Sequence, residues 1–163
     1  MATQVYPFAV AGEVAASMLP NWDFADGYTT TIPETNLAPR DAARRILERP
    51  PAWIEALLGL RNLLVAPFGL KGRSRHDENV IGGFPVIGRS PGGIVLGLDD
   101  KHLNFRISIT VRPTGDGSSV VAMLSVVGTN NLLGRAYLAF VTPFHRVIVP
   151  AMLARVSLAS MVN

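Results

Sequence analysis

The sequence predicts an α+β domain in which a curved antiparallel sheet packs against a long C-terminal helix, with two shorter helices after strand one. Three observations predict it. The stretch "HLNFRISITV" alternates, with Leu103, Phe105, Ile107, Ile109 and Val111 on one side and His102, Asn104, Arg106, Ser108 and Thr110 on the other. The turns "SPGG", "LDDK" and "PTGDGS" are too short for crossover connections, so the strands they join run antiparallel. Near the C-terminus, "YLAFVTPFHRVIVPAMLARV" (137–156) repeats its apolar residues at helical spacing.

Taken in order, residues 1–22 read as an N-terminal extension of mature sequence. Glu13 interrupts the apolar run and no Lys or Arg precedes it, unlike a secretory leader, so a cytoplasmic location is expected. Strand one is expected over Asp23 to Ile32, with Phe24, Asp26, Tyr28, Thr30 and Ile32 on one side, ending at Pro33. Pro39 suits the first turn of a helix reaching about Glu48, and "RPP" breaks the chain before a second helix from Pro51 to about Ala66. Trp53, Leu57, Leu60 and Leu64 form the core stripe expected of that second helix. Residues 69–85, "GLKGRSRHDENVIGGFP", are glycine-rich and charged and predict a flexible loop or flap.

Strands follow at Phe84 to Arg89, Gly93 to Leu98, His102 to Arg112 and Ser119 to Thr129. Both sides of the last of these are apolar: Val121, Met123 and Val127 fall on one, and Val120, Ala122, Leu124 and Val126 on the other. Each side therefore needs cover. No linker divides the chain, which reads as one domain over residues 1–163.

In the final helix, Leu138, Val141, His145, Ile148, Val149 and Met152 share one face, with Arg135, Thr142, Arg146 and Leu153 on its flank. Pro143 and Pro150 fall on the opposite side, where each removes a hydrogen bond and lets the helix bow over a sheet. A transmembrane span is not expected, because Arg146 near the middle costs about 2.5 to 3.5 kcal/mol on insertion and Arg135 and Arg155 flank the run. Ala136, Phe140, Val147, Ala151 and Ala154 nevertheless make the outer side apolar. The N-terminal segment, a membrane surface or a partner chain would cover it, and a homodimer through this side is one such arrangement.

Composition narrows the function classes. The 163 residues carry a net charge of +3 with no cysteine, so disulfides, thiolate ligands and a cysteine nucleophile are excluded. Arg40, Arg44, Arg45 and Arg49 read as a solvated helix face, with Arg44 and Glu48 one turn apart, and no aromatic residues interleave them to stack on bases. No nucleic-acid partner is expected. "GRSPGG" lacks the ending of a phosphate loop and the consecutive His76, Asp77 and Glu78 do not have metal-ligand spacing, so no nucleotide, cofactor or metal is expected, and Ser157 and Ser160 have no visible base and acid around them to support a serine hydrolase.

The strand, two-helix, flap, meander and long-helix order resembles the helix-grip fold of the START-like (SRPBCC) superfamily, which includes lipid carriers, plant hormone receptors, pollen-allergen-type binders and polyketide cyclases. More closely, "PPAWIEALLGLRNLLVAPFGLK" (50–71), "GLDDKHLNFRISI" (97–109) and "LGRAYLAFVTPFHRVIVPAMLARV" (133–156) resemble the bacterial domain-of-unknown-function family numbered 2867. The resemblance implies a cavity between the sheet and the last helix, and it carries no activity. Asn104 stands where the second motif is associated with an acidic residue.

Two function classes use this cavity, and a third possibility is an interaction subunit whose outer apolar helix side pairs with another chain. In the first, Tyr28, Met123, Tyr137, Val141, His145 and Ile148 line a cavity for a small apolar or amphipathic molecule. In the second, a cyclase- or isomerase-like enzyme uses Asp26 and His145, or Tyr137, to handle protons in the same cavity. His145 is either a ligand-facing or proton-moving group or a core histidine bonded to an oxygen. Asp26, if inward, needs a partner, because an unpaired buried charge is costly. The row His102, Asn104 and Arg106 is expected on the outer side of the sheet, where it becomes a second candidate only if another layer covers it.

Overall fold

A computed structural model describes residues 3–56 and 79–158 of the chain. Its elements are β1 (Val5–Phe8), α1 (Gly12–Met18), β2 (Phe24–Ile32), α2 (Pro39–Leu47), β3 (Val80–Ile81), β4 (Phe84–Ser90), β5 (Gly93–Asp99), β6 (Leu103–Pro113), β7 (Ser119–Thr129) and a long C-terminal helix, α3 (Leu132–Leu158). A further stretch, 52–56, is helical. The strands form one antiparallel sheet in the order β1-β2-β7-β6-β5-β4-β3. One face of this sheet carries α3 and α2, the helix-on-sheet arrangement that the sequence predicts.

Register explains which side chains face the helices. Tyr28 stands opposite Met123, Asp26 opposite Ser125, and Ser125 opposite Ile107. The core built on that face takes in Tyr28, Ile32, Ile94, Leu96, Ile107, Ile109, Val111, Val121 and Met123 from the strands. Ala42, Ala43, Ile46 and Leu47 of α2 and Val149, Met152, Leu153 and Val156 of α3 close it from above. At roughly 1.5–3 kcal/mol for each fully buried large aliphatic side chain, this cluster dominates the stability of the fold.

The N-terminal residues do more than extend the domain. β1 pairs with β2 and makes it an interior strand, with Val5 opposite Thr30 and Phe8 opposite Gly27. The Phe8 ring occupies the place where a Cβ at residue 27 would stand, so any other residue there would displace that exposed ring. α1 covers the opposite face of the sheet, where Ala15 and Leu19 bury Leu124 and Val126. This is why β7 is apolar on both sides. The sequence left the segment unassigned because four residues of β1 and seven of α1 are too few for a clear period.

Two further expectations need correction. Trp53 is exposed, and its neighbour Ile54 enters the core instead; Leu57, Leu60 and Leu64 lie outside the described residues. The flap expected over residues 69–85 is ordered at its end: β3 and the start of β4 occupy it from Val80, and Ile81 is fully buried. Its first part, with His76, Asp77 and Glu78, lies outside the described residues.

The start of α3 is fixed by side-chain chemistry. The Asn131 Oδ1 accepts from the Gly134 N–H at 2.9 Å, an N-cap, while its Nδ2 donates to the Lys101 carbonyl at 3.1 Å. Gly134 lies so close to the His102 carbonyl that a Cβ there would collide with it. At the other end, Ser157 bonds to Thr3, and Arg45 bridges Glu34 at 2.7 Å and the Val156 carbonyl at 3.5 Å. Both ends of the helix are therefore tied to the sheet layer or α2. Residues Leu132–Ser157 are long and apolar enough to cross a bilayer, yet the inner face of the helix is packed into the sheet. Val149, Met152, Leu153 and Val156 of this helix belong to the buried core, while 17% of its most apolar stretch is buried.

Candidate ligand groove between the sheet and the C-terminal helix

Burial changes along the concave face. At one end, Ile32, Val121, Ile109, Val111, Ile94 and Leu96 are buried beneath α2 and the second half of α3. At the other end, Phe24, Asp26, Val127, Leu103, Phe105 and Leu98 are only half-buried. Over this second end run Tyr137, Leu138, Val141 and His145 of α3, which are half-buried as well. Both surfaces therefore stay partly accessible at this end, while the other end is closed.

Asp26 and His145 meet where the groove meets the core. The Nε2 of His145 lies 3.1 Å from Asp26 Oδ1, with side chains 24% and 16% exposed respectively. The Phe24 ring stands edge-on to the imidazole, centroids 5.7 Å apart at 84°. The β2 alternation that turns Phe24 inward turns Asp26 and Tyr28 inward too. With the carboxylate ionised, Nε2–H is the donor and Nδ1 is left with the lone pair.

Tyr28 adds a third polar group. Burial pushes its phenol above the ordinary value, the charge of the nearby Asp26 carboxylate adds to this, and the Arg146 guanidinium works against it. The phenol therefore stays protonated at neutral pH and can only donate or accept as a neutral group. Ser125 was not legible as a site residue, although a serine among inward-facing β7 residues was the available signal. Its Oγ and the Asp26 Oδ2 are both buried without a hydrogen-bond partner.

The other predicted lining residues divide. Met123 and Tyr28 are buried in the core, and Ile148 packs against it from its edge. Tyr137, Val141 and His145 face the open part. Asp26 and His145 are brought into contact, whereas Arg146 stays exposed on the flank.

The His102, Asn104 and Arg106 row lies on the outer side of the sheet. Arg106 pairs with Asp99 at 2.7 Å across Gly97, beside a shallow depression of about 280 Å³ lined by Pro85, Ile87, Gly97, Leu98, Asp99 and Arg106. His102 and Asn104 hydrogen-bond to Asn131 and Asn130, at 3.1 and 3.2 Å. These contacts tie β6 to the chain entering α3. Among the described residues, no group of three or more His, Asp or Glu could hold a metal ion.

A family model described as "Protein of unknown function (DUF2867)" matches residues 18–152. No curated protein matches the chain. Among solved structures, norcoclaurine synthase from Thalictrum flavum, in complex with dopamine and hydroxybenzaldehyde, is similar at 11% identity and a TM-score of 0.38, covering 99% of this chain and 90% of that one. CalU16 from Micromonospora echinospora is similar at 8% identity and a TM-score of 0.35, over 98% and 93% of the two chains. Human STARD10 is similar at 10% identity and a TM-score of 0.26, over 95% and 73%. At such distances no residue role passes from those proteins to this one.

Proposed function

The chain belongs to the DUF2867 family, and on that premise we propose that it is a cytoplasmic protein that holds a small apolar or amphipathic molecule in the groove between α3 and the sheet. The observation that carries this is the burial gradient: the concave face is filled at one end and left half-covered at the other, under a helix tied down at both ends. Phe24, Phe105, Val127 and Val141 supply apolar surface, and Tyr137 and His145 offer polar groups that orient an amphipathic ligand. Asp26 Oδ2 and Ser125 Oγ are sealed from solvent, so direct contact with the ligand falls to His145 rather than to them.

A second function is favoured by the 3.1 Å contact of His145 with Asp26. In a cyclase- or isomerase-like reaction, His145 Nδ1 takes a proton from the ligand and the Asp26 carboxylate stabilises the imidazolium that results. The return of that proton to another atom of the same ligand completes an isomerisation without any co-reactant.

Nile red titration of the folded protein, beside native mass spectrometry of protein purified from its source, tests the binding function. Fluorescence is expected to rise on binding, to weaken several-fold in Val141→Trp, and to be kept or strengthened in His145→Phe. Wild-type protein that neither binds Nile red nor carries a retained molecule would rule it out. If the retained molecule is converted by the wild type but not by a folded His145→Phe variant, the enzyme function is the correct one.

A further inference from the structure

The outer side of α3 is an exposed apolar surface that ligand binding on its inner side does not explain. Leu132 is 80%, Phe140 57% and Val147 61% exposed, and Ala136, Pro143 and Phe144 are exposed along the same stripe. At 1.5 Å per residue the stripe runs about 22 Å. The Phe140 and Phe144 rings lie against each other, centroids 5.6 Å apart, and present a paired aromatic surface.

Charge identifies the occupant. Arg135 and Arg146 are both exposed, and eleven residues of helix return nearly to the same angle, so they stand on one flank of the stripe about 16 Å apart. Neither takes part in a salt bridge among the described residues. No Asp or Glu occurs anywhere after Asp116. An apolar stripe bordered by arginines that form no salt bridge among the described residues, on a helix that carries no carboxylate of its own, matches the interface of an anionic bilayer, where apolar side chains enter below the headgroups and guanidiniums bind phosphate. A second copy fits less well. A symmetric contact through this stripe would gather four guanidiniums with no carboxylate from either helix.

We propose that the outer face of residues 132–147 docks the folded domain on an anionic lipid surface, with Phe140, Phe144 and Val147 as the inserted side chains and Arg135 and Arg146 as the headgroup contacts. The helix lies in the plane of the interface, because its inner face stays on the sheet. This docking is independent of what the groove holds.

Co-sedimentation of the full chain with vesicles of phosphatidylcholine alone, or with phosphatidylglycerol added, provides the test. The wild type is expected to bind the anionic vesicles and to be released by salt. The Arg135→Gln, Arg146→Gln pair should lose that preference, by about fivefold for each arginine near an anionic surface. The Phe140→Asp, Phe144→Asp pair should abolish binding while far-ultraviolet circular dichroism and Nile red binding in the groove stay unchanged. Failure to bind anionic vesicles, or equal binding to neutral ones, overturns the proposal. So does a dimer in sedimentation velocity that Phe140→Asp converts to monomer, since the face would then belong to a second copy.

Discussion

The two halves of α3 share one helix, yet they are built for different purposes. From Val149 onward, its inward residues Val149, Met152, Leu153 and Val156 are buried against α2 and the closed end of the sheet. Before it, Tyr137, Leu138, Val141 and His145 are half-buried over strand positions that are half-buried too. The difference does not lie in apolar content, which is high throughout. It accompanies a difference in cover: α2 contributes Ala42, Ala43, Ile46 and Leu47 to the same core cluster as Val149, Met152, Leu153 and Val156. A continuous apolar helix can therefore be a core element at one end and a groove wall at the other.

Truncation of the packed half should have the largest effect. Leu153→Ala is expected to destabilise the domain by about 2–5 kcal/mol in denaturant unfolding, since it opens a cavity in a fully buried site. Val141→Ala, one face and three turns away, should cost well under half of that while changing Nile red affinity. Equal costs at the two positions would erase the distinction between the halves.

The Asp26 and His145 contact sits at the boundary and should give an intermediate effect. A double-mutant cycle with Asp26→Asn and His145→Gln is expected to yield a coupling of about 0.5–3 kcal/mol. A coupling near zero would mean that the pair is adjacent without interacting.

The smallest effect belongs to the rim of the open end. Asp23 Oδ2 accepts from both the Thr129 hydroxyl and its backbone N–H, each at 2.7 Å, and ties the start of β2 to the end of β7. The Thr129 hydroxyl, then its N–H, hold the carboxyl below its ordinary value, with Arg135 adding a little in the same direction. A depressed folded value means that this contribution is present above the unfolded value and is lost as the pH falls through the folded one. Acid unfolding followed by fluorescence should show Asp23→Asn less stable than wild type near neutrality, with the gap closing in acid. A gap independent of pH would show that the charge is not involved.

Much of this architecture was legible because it is periodic. The strand alternation that placed Leu103, Phe105, Ile107, Ile109 and Val111 on one face held, as did the α2 start at Pro39 and the Arg44 to Glu48 pair at 3.7 Å. The doubly apolar β7 signalled a second covering layer, although not that residues 12–18 supply it. Period-2 patterning turned Asp26 and Tyr28 inward, and helical spacing did the same for His145. Ser125 and the exposure of Trp53 were not readable, since a lone serine or tryptophan in a periodic run carries no sign of its neighbours.

By itself the sequence determined the class of domain, the order of its longer elements and the inward faces of β2, β6 and α3, because those follow from steric periods of two and of about 3.6 residues within short stretches. Tertiary structure decided which stretch of those faces is filled and which left open. It also decided that Asp26 and His145, 119 residues apart, would touch. Such contacts depend on sheet register, on where α3 is capped and on how far α2 extends over the sheet. These are outcomes of packing between distant segments, for which no local pattern exists.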